Sequence, residues 1–146
     1  KVPVHYLGIQ SHIGPGTNPE SQGPNTFSAA DQAAWKQFLD AAVAMDMRLC
    51  LTEFDVSERG TPADIVQRDR FMADLAKRYL DFMFAYRQTD YLVAWGMVDN
   101  YSWLQLYGGK RPDGMIKRPS LYDGNYQPKP MRQAIAEAFR NAPPRA

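Results

Sequence analysis

The sequence predicts an α/β fold with parallel strands, and two observations support that prediction. Short runs of β-forming residues alternate with longer amphipathic segments three times along the 146 residues. Each β-forming run leads into a loop crowded with polar and aromatic residues, the arrangement expected at the C-terminal face of a (β/α)₈ barrel. Such a barrel needs eight units and about 250 residues, so three units correspond to only part of one.

The first unit begins with Val4–Gln10, which is rich in β-forming residues and predicts a strand. A Gly/Pro/Asn-rich stretch from Gly14 to Asn25 follows and predicts a long loop. Ser28 and Asp31 then resemble a capping box. Apolar residues at helical spacing predict a helix to about Met45, with Trp35 in the core; they are Trp35, Phe38, Leu39, Ala42 and Val43.

The second unit begins with Leu49–Val56, a compact run that predicts a strand. Thr61 as N-cap, Pro62 at the first helical position and Asp64 as the capping-box partner predict a helix start. An apolar stripe continues this helix for about six turns; it consists of Ile65, Phe71 or Met72, Leu75, Tyr79, Phe82 and Tyr86.

The third unit begins with Tyr91–Val98, another predicted strand, which leads into a long loop containing Gly and Pro. Pro130 opens a final helix, and Pro143 with Pro144 ends it.

The only cysteine, Cys50, lies inside an apolar run, where a small buried thiol is expected.

Composition and motif content exclude several classes of partner and cofactor. There are 17 Lys and Arg against 16 Asp and Glu, spread along the chain, so neither nucleic acid nor an anionic membrane is an expected partner. No segment approaches the roughly 20 apolar residues that span a bilayer. The sequence carries no metal-ligand cluster and no Ser/His/Asp triad, and Gly108-Gly109-Lys110 lacks the rest of a phosphate loop. No metal or cofactor is expected.

Three segments carry a family resemblance: Gly8–His12 (GIQSH), Leu51–Val56 (LTEFDV) and Trp95–Leu104 (WGMVDNYSWL). Their order and spacing resemble the sixth, seventh and eighth strands of glycoside hydrolase family 10, whose members are endo-β-1,4-xylanases on a (β/α)₈ barrel. The segments Arg118–Asp123 and Gln127–Pro130 extend the match. The resemblance implies that residues 1–146 are a C-terminal portion of the catalytic barrel, about its last three βα units.

The sequence departs from the family pattern at two points. Phe54 stands where Leu is common. More seriously, the family's acid/base Glu, which follows Asn at the end of the fourth strand, has no counterpart. Besides Glu53 the chain contains Glu20, Glu58 and Glu137, and none of them follows Asn.

The resemblance implies a catalytic role for three residues. Glu53 would be the nucleophile, since retaining glycosidases need an ionised carboxylate directed at the anomeric carbon; the alternative is a strand-end carboxylate in a structural ion pair. His12 and Asp55 would support it, with the imidazole bound to Glu53 and oriented by Asp55. Alternatively, His12 is an ordinary polar loop residue. Strand alternation predicts that Glu53 and Asp55 face the same side.

Three further residues are implied as substrate contacts. Gln10 lies two residues before His12 and would hydrogen-bond the sugar; the alternative is a polar residue of the barrel interior. Trp95 and Trp103 would wall the subsite before the scissile bond, because indole faces suit the apolar face of a pyranose. Trp95 could equally belong to the core. For Tyr107, Lys110 and Arg111 in the following loop, a solvated loop is the expected role, with substrate contact as the alternative.

Three functions therefore remain open. The first is a retaining endo-β-1,4-xylanase acting on xylan or xylo-oligosaccharide, to which this chain would supply Glu53 while being nearly inactive by itself. The second is a binding module, and the third is a structural half-barrel. Two unpaired sheet edges predict a partner: a separate chain carrying the N-terminal part of the barrel, a second copy of this chain, or a further stretch of the same protein. A secreted or periplasmic location is expected from the family.

Overall fold

A computed structural model describes residues 2–15, 27–107 and 110–145. Most of the predicted Gly14–Asn25 loop, including Glu20, and both Gly108 and Gly109 lie outside the described residues. The elements in chain order are β1 (Tyr6–Ile9), β2 (His12–Ile13), α1 (Ala29–Ala44), β3 (Arg48–Val56), α2 (Ile65–Ala85), β4 (Thr89–Ala94), 3-10 turns at Asp99–Tyr101 and Trp103–Gln105, and α3 (Pro130–Asn141).

The predicted parallel sheet is confirmed, with β3 at its centre. β3 pairs in parallel with β1 and then β2 along one edge, and with β4 along the other. The predicted strand Val4–Gln10 is shorter than expected and continues as β2 after an interruption. Ser11 lies at that interruption with φ 67°, a left-handed conformation that extended strands do not contain.

One extra residue interrupts the regular pairing of β3. On the β4 side, Leu51 to Phe54 lies opposite Leu92 to Ala94. On the other side, Leu51 to Asp55 lies opposite Ile9 to His12. A residue inserted into one strand forms a β-bulge and changes which face the following side chains point to.

The helices cover one face of the sheet. The predicted α2 stripe is largely confirmed, since Met72, Leu75 and Tyr79 are buried against the strands. Helix α3 begins at Pro130 as predicted and packs on α2. The capping box at Ser28 is confirmed, and Cys50 is buried. Trp35 is only partly buried and packs at the margin of the core.

The predicted start of α2 is wrong by one turn. The N-cap is Asp64, whose carboxylate accepts a hydrogen bond from the backbone N–H of Gln67 at 2.8 Å. The Thr61 hydroxyl instead donates to the carbonyl of Glu58 at 2.6 Å. Thr61 therefore closes the preceding turn and leaves the cap to Asp64.

The other face of the sheet is open. Tyr6 and Tyr91 lie on it with their ring centroids 6.3 Å apart, and Val93 is exposed as well. In a closed barrel this face would form the interior.

None of the helices in the described part of the chain has the length and apolar character needed to cross a membrane.

Candidate active site

Glu53 lies at the C-terminal end of the sheet, directed by the bulge in β3. Leu51 is buried in the core cluster beneath the helices, and strict alternation would point Glu53 to the same side. The bulge between Leu51 and Phe54 instead gives the helix-facing position to Phe54, whose ring stacks on Tyr79 of α2. The side chain of Glu53 is therefore on the open side and 26% exposed.

Both oxygens of Glu53 have nitrogen neighbours. His12 Nε2 lies 3.1 Å from one oxygen, and Gln10 Nε2 donates a long hydrogen bond of 3.5 Å to the other. The backbone N–H of Glu53 donates to the carbonyl of Gln10 at 2.9 Å, which fixes the two strands beside each other. Gln10 and His12 thus face the same side, as their spacing predicted.

His12 connects Glu53 to Asp55. The register pairs His12 with Asp55, and the imidazole Nδ1 lies 2.9 Å from one carboxylate oxygen. With its two nitrogens directed at two carboxylates, the ring can hold both side chains in fixed orientations. Glu53 and Asp55 consequently face the same side, in agreement with the alternation prediction.

Asp55 is 4% exposed, and its second oxygen accepts a hydrogen bond of 2.6 Å from the indole Nε1 of Trp103. Burial raises the pKa of the Asp55 carboxyl, because a charged group loses hydration. The hydrogen bonds from Trp103 and His12 act in the opposite direction. The carboxylate is therefore held by contacts from two different segments of the chain.

Trp103 begins a well-braced 3-10 turn. The Ser102 hydroxyl caps this turn by accepting from the Leu104 N–H at 3.2 Å. Gln105 donates to the carbonyls of Asp99 and Lys117, each at 2.7 Å. The indole ring lies between the His12 and Tyr107 rings, at centroid distances of 5.1 and 5.6 Å.

Five of the six predicted site residues form one contact network: Gln10, His12, Glu53, Asp55 and Trp103. Trp95 stands beside it. Its backbone N–H donates to the Phe54 carbonyl at 2.9 Å, and its side chain is 45% exposed.

Two supporting residues were missed from sequence. The Ser11 hydroxyl lies 2.8 Å from the Tyr79 hydroxyl, joining the loop between Gln10 and His12 to α2. Tyr79 looked like any other member of an apolar stripe, and no local signal distinguishes it. The expected solvated position of Arg111 is wrong, because its side chain is 9% exposed and forms ion pairs with Asp113 and Glu58.

The arrangement provides one partly exposed carboxylate with a histidine and an amide beside it. Among the described residues, no group of three or more His, Cys, Asp or Glu side chains is placed to hold a metal ion. The chemistry available from these residues is that of an oriented carboxylate, acting as nucleophile, base or hydrogen-bond acceptor.

Comparisons with known proteins relate the chain to one family and one fold. The model of Glycosyl hydrolase family 10 matches residues 1–138. The chain is 32% identical to a thermostable celloxylanase of Thermoclostridium stercorarium. It superposes on native xylanase 10B from Thermotoga maritima with TM-score 0.70 and 24% identity, and on xylanase 10B from Thermotoga petrophila in complex with xylobiose with TM-score 0.69 and 24% identity.

The matches cover nearly all of this chain but only part of each relative. The shares of this chain are 95% in all three cases, whereas the celloxylanase is covered over 34% of its length and the two structures over 37%. The chain thus spans about a third of its relatives' length. Its fold is the C-terminal part of a (β/α)₈ barrel.

Proposed function

Because this chain belongs to glycosyl hydrolase family 10, we propose that it supplies the nucleophile, Glu53, of a retaining endo-β-1,4-xylanase. The observation that carries the proposal is the position of Glu53. Its carboxylate is directed out of the C-terminal end of the sheet and is held by His12 and Gln10. Active sites of barrel enzymes lie at this end.

In the proposed double displacement, a Glu53 oxygen bonds to the anomeric carbon as the bond to the leaving oxygen breaks. A proton from an acid/base carboxyl neutralises the leaving alcohol, and water then hydrolyses the glycosyl-enzyme ester with the same group acting as base. His12 and Asp55 hold the nucleophile in position. Gln10 hydrogen-bonds the sugar, and Trp95 and Trp103 stack on it.

The acid/base carboxyl would come from outside this chain. Of the other glutamates, Glu58 is buried beside Arg68 and Arg111, and Glu137 lies on α3 with a hydrogen bond from Gln133. Neither contacts the Glu53 network, and Glu20 lies outside the described residues. Lack of a general acid typically costs about 10²–10⁴-fold in rate. The isolated chain is therefore expected to be nearly inactive on xylan.

The N-terminal part of the barrel is the proposed source of that carboxyl, as a separate chain or as a further stretch of the same protein. Its strands would pair with the outer edges of β1 and β4 and cover the open face. Self-association of this chain would cover the same edges without adding an acid/base Glu. A secreted or periplasmic location of the complete enzyme remains an expectation from the family.

A second candidate function is a carbohydrate-binding or structural half-barrel that lacks catalysis. The observation that favours it is that the Glu53 network has a single exposed carboxylate. A retaining enzyme needs two carboxyl groups about 5–5.5 Å apart. Binding through Gln10, Trp95 and Trp103 would not need the second one.

The test measures the contribution of the nucleophile separately from that of the general acid. The purified chain, with its intact mass recorded to detect a co-purified partner, is assayed on xylan and on dinitrophenyl β-xylobioside. The dinitrophenolate leaves without protonation, so it needs a nucleophile but no general acid. An analogue with fluorine beside the anomeric carbon traps the glycosyl-enzyme ester, and the added mass is located by peptide mapping.

We expect negligible sugar release from xylan, release of dinitrophenolate, and the trapped sugar on Glu53. Glu53→Gln should abolish both release and trapping, whereas the matched change Glu137→Gln on α3 should alter neither. Xylan cleavage that disappears in Glu53→Gln would mean that a partner supplies the acid. Binding of xylo-oligosaccharide without trapping would favour the second candidate.

A further inference from the structure

The two oxygens of Asp55 are occupied by donors of different kinds. One oxygen lies 2.9 Å from His12 Nδ1, and the other accepts the Trp103 indole N–H at 2.6 Å. Asp55 is almost fully buried, so these two contacts replace most of its hydration. The direction of each hydrogen bond therefore matters to the protonation of the whole network.

The indole N–H can only donate, so the oxygen facing Trp103 must accept. A charge-assisted bond of this kind favours the ionised carboxylate over the neutral acid. The proton between Asp55 and His12 is thereby biased toward Nδ1 of the ring. With Nδ1–H donating to Asp55, Nε2 faces a Glu53 oxygen 3.1 Å away. Because an ionised carboxylate can only accept, the ring holds both carboxylates when Nε2 carries a proton as well.

We propose that Trp103 is a positioning residue, whose indole N–H fixes Asp55 as a double acceptor and so sets the orientation of His12 and keeps a proton on its Nδ1 beside Glu53. The proposal rests on the proposed role of Glu53 as nucleophile. This role of Trp103 is separate from sugar stacking. The face of the indole ring would contact substrate, whereas its N–H edge acts through Asp55.

The surroundings of Trp103 fit a fixed donor. Its turn is braced by Ser102 and Gln105, and the Lys117 ammonium donates to the Leu104 carbonyl at 2.5 Å. Trp95 is a matched control for the hydrogen bond made by the Trp103 indole. Within the part of the chain that the structure describes, no residue accepts a hydrogen bond from its indole.

The groups that face Asp55 come from three segments, and two of these groups are charged or titratable. His12 lies on β2, and Glu53 lies on the same strand as Asp55. Trp103 approaches from the loop after β4 and carries no charge. Burial and the Glu53 charge both raise the pKa of Asp55, and the Trp103 and His12 hydrogen bonds lower it. Removing the indole N–H should therefore shift Asp55 toward its protonated form.

The experiment replaces Trp103 with benzothienylalanine, in which sulfur takes the place of the indole N–H while ring size is kept. The same replacement at Trp95 is the control. In each protein, ¹³C NMR follows the titration of the Asp55 carboxyl and ¹⁵N NMR reads which ring nitrogens of His12 carry a proton. In the unmodified chain, the Trp103 indole proton is followed over the same pH range.

The expected result is a titration midpoint of Asp55 at higher pH and a loss of Nδ1 protonation at His12 when position 103 is replaced, with no change for position 95. The Trp103 indole resonance of the unmodified chain should follow the Asp55 titration, whether or not the replaced protein folds. Unchanged Asp55 and His12 signals, equal changes at both positions, or an indole resonance independent of Asp55 would overturn the proposal. Since none of these signals depends on turnover, failure to trap a sugar on Glu53 would be a separate result.

Discussion

Ser11 holds a strained backbone conformation between two residues of the site, Gln10 and His12. A left-handed conformation costs a non-glycine residue about 1–2 kcal/mol. Its hydroxyl contacts the Tyr79 hydroxyl at 2.8 Å and the Ile9 carbonyl at 3.2 Å, and both contacts are buried. The contact with α2 therefore helps to keep this conformation, and with it the position of His12.

Tyr79→Phe tests this contact. Loss of the hydrogen bond should lower the free energy of unfolding at neutral pH by about 1 kcal/mol, as measured by urea denaturation. Burial raises the pKa of Tyr79 to about 12 from its ordinary value of 10.0. Because the folded state keeps this proton longer than the unfolded state, the hydroxyl contributes stability below pH 10 that is lost as the pH rises toward 12.

The difference in stability between the natural chain and Tyr79→Phe should accordingly shrink as the pH is raised through that window. A difference that stays constant across it would contradict the assignment of the alkaline effect to Tyr79. Unfolding curves at pH 8 and at two values above pH 10 are sufficient for this comparison.

At the scale of elements, the loops after β3 and β4 are joined by a buried ionic cluster centred on Glu58. Its carboxylate lies 3.4 Å from Arg68 and 3.3 Å from Arg111, and it accepts the backbone N–H of Arg118 at 3.1 Å. Arg68 is fully buried, and its guanidinium finds no hydrogen-bond partner among the described residues. Glu58 is therefore its main charge compensation.

Glu58→Gln should destabilise the chain by about 3–5 kcal/mol, because it leaves the charge of Arg68 buried without a counter-ion. Urea denaturation measures the loss. The same change at Glu137, on the surface of α3, should stay within about 0.5 kcal/mol. Comparable effects of the two substitutions would show that the Glu58 charge is not required inside the protein.

Substitution of the N-cap residue at the start of α2 should have a smaller effect on the free energy of unfolding. Asp64→Ala removes the cap on the Gln67 N–H and should cost about 1 kcal/mol in urea denaturation, whereas Asp64→Asn keeps a capping oxygen and should cost clearly less. Equal losses for both variants would point to the charge of Asp64 instead of its cap.

Helix positions and the order of elements could be predicted because apolar spacing and caps are local signals. Alternation predicted that Glu53 and Asp55 share one side of their strand, and the family resemblance implied the contacts of His12 with both of them. The break at Ser11 and the contact of Trp103 with Asp55 could not be predicted. Both depend on segments far apart in the chain, Tyr79 of α2 in one case and the loop after β4 in the other.

At the scale of the whole molecule, this chain is an open segment of a barrel. Among the described residues, β1 and β4 each pair along one edge only. Tyr6, Tyr91 and Val93 expose apolar surface on the open face. An unpaired strand edge next to exposed apolar side chains favours association.

We expect the isolated chain to associate with itself in a concentration-dependent way, measured by sedimentation velocity over a range of concentrations. Val93, on β4 and 43% exposed, is a suitable site for a charge. Val93→Lys should weaken the association while retaining the helical circular dichroism signal. A chain that stays monomeric at all concentrations would show that its open edges need no partner.

The bulge in β3 has a consequence for how this strand tolerates change. Without the bulge between Leu51 and Phe54, the present number of residues would turn Glu53 toward the helices. Substitutions of Thr52 can therefore leave the direction of the carboxylate intact as long as the bulge is kept. Loss of Thr52 would remove the extra residue itself, and regular alternation after Leu51 would then still place Glu53 on the open side.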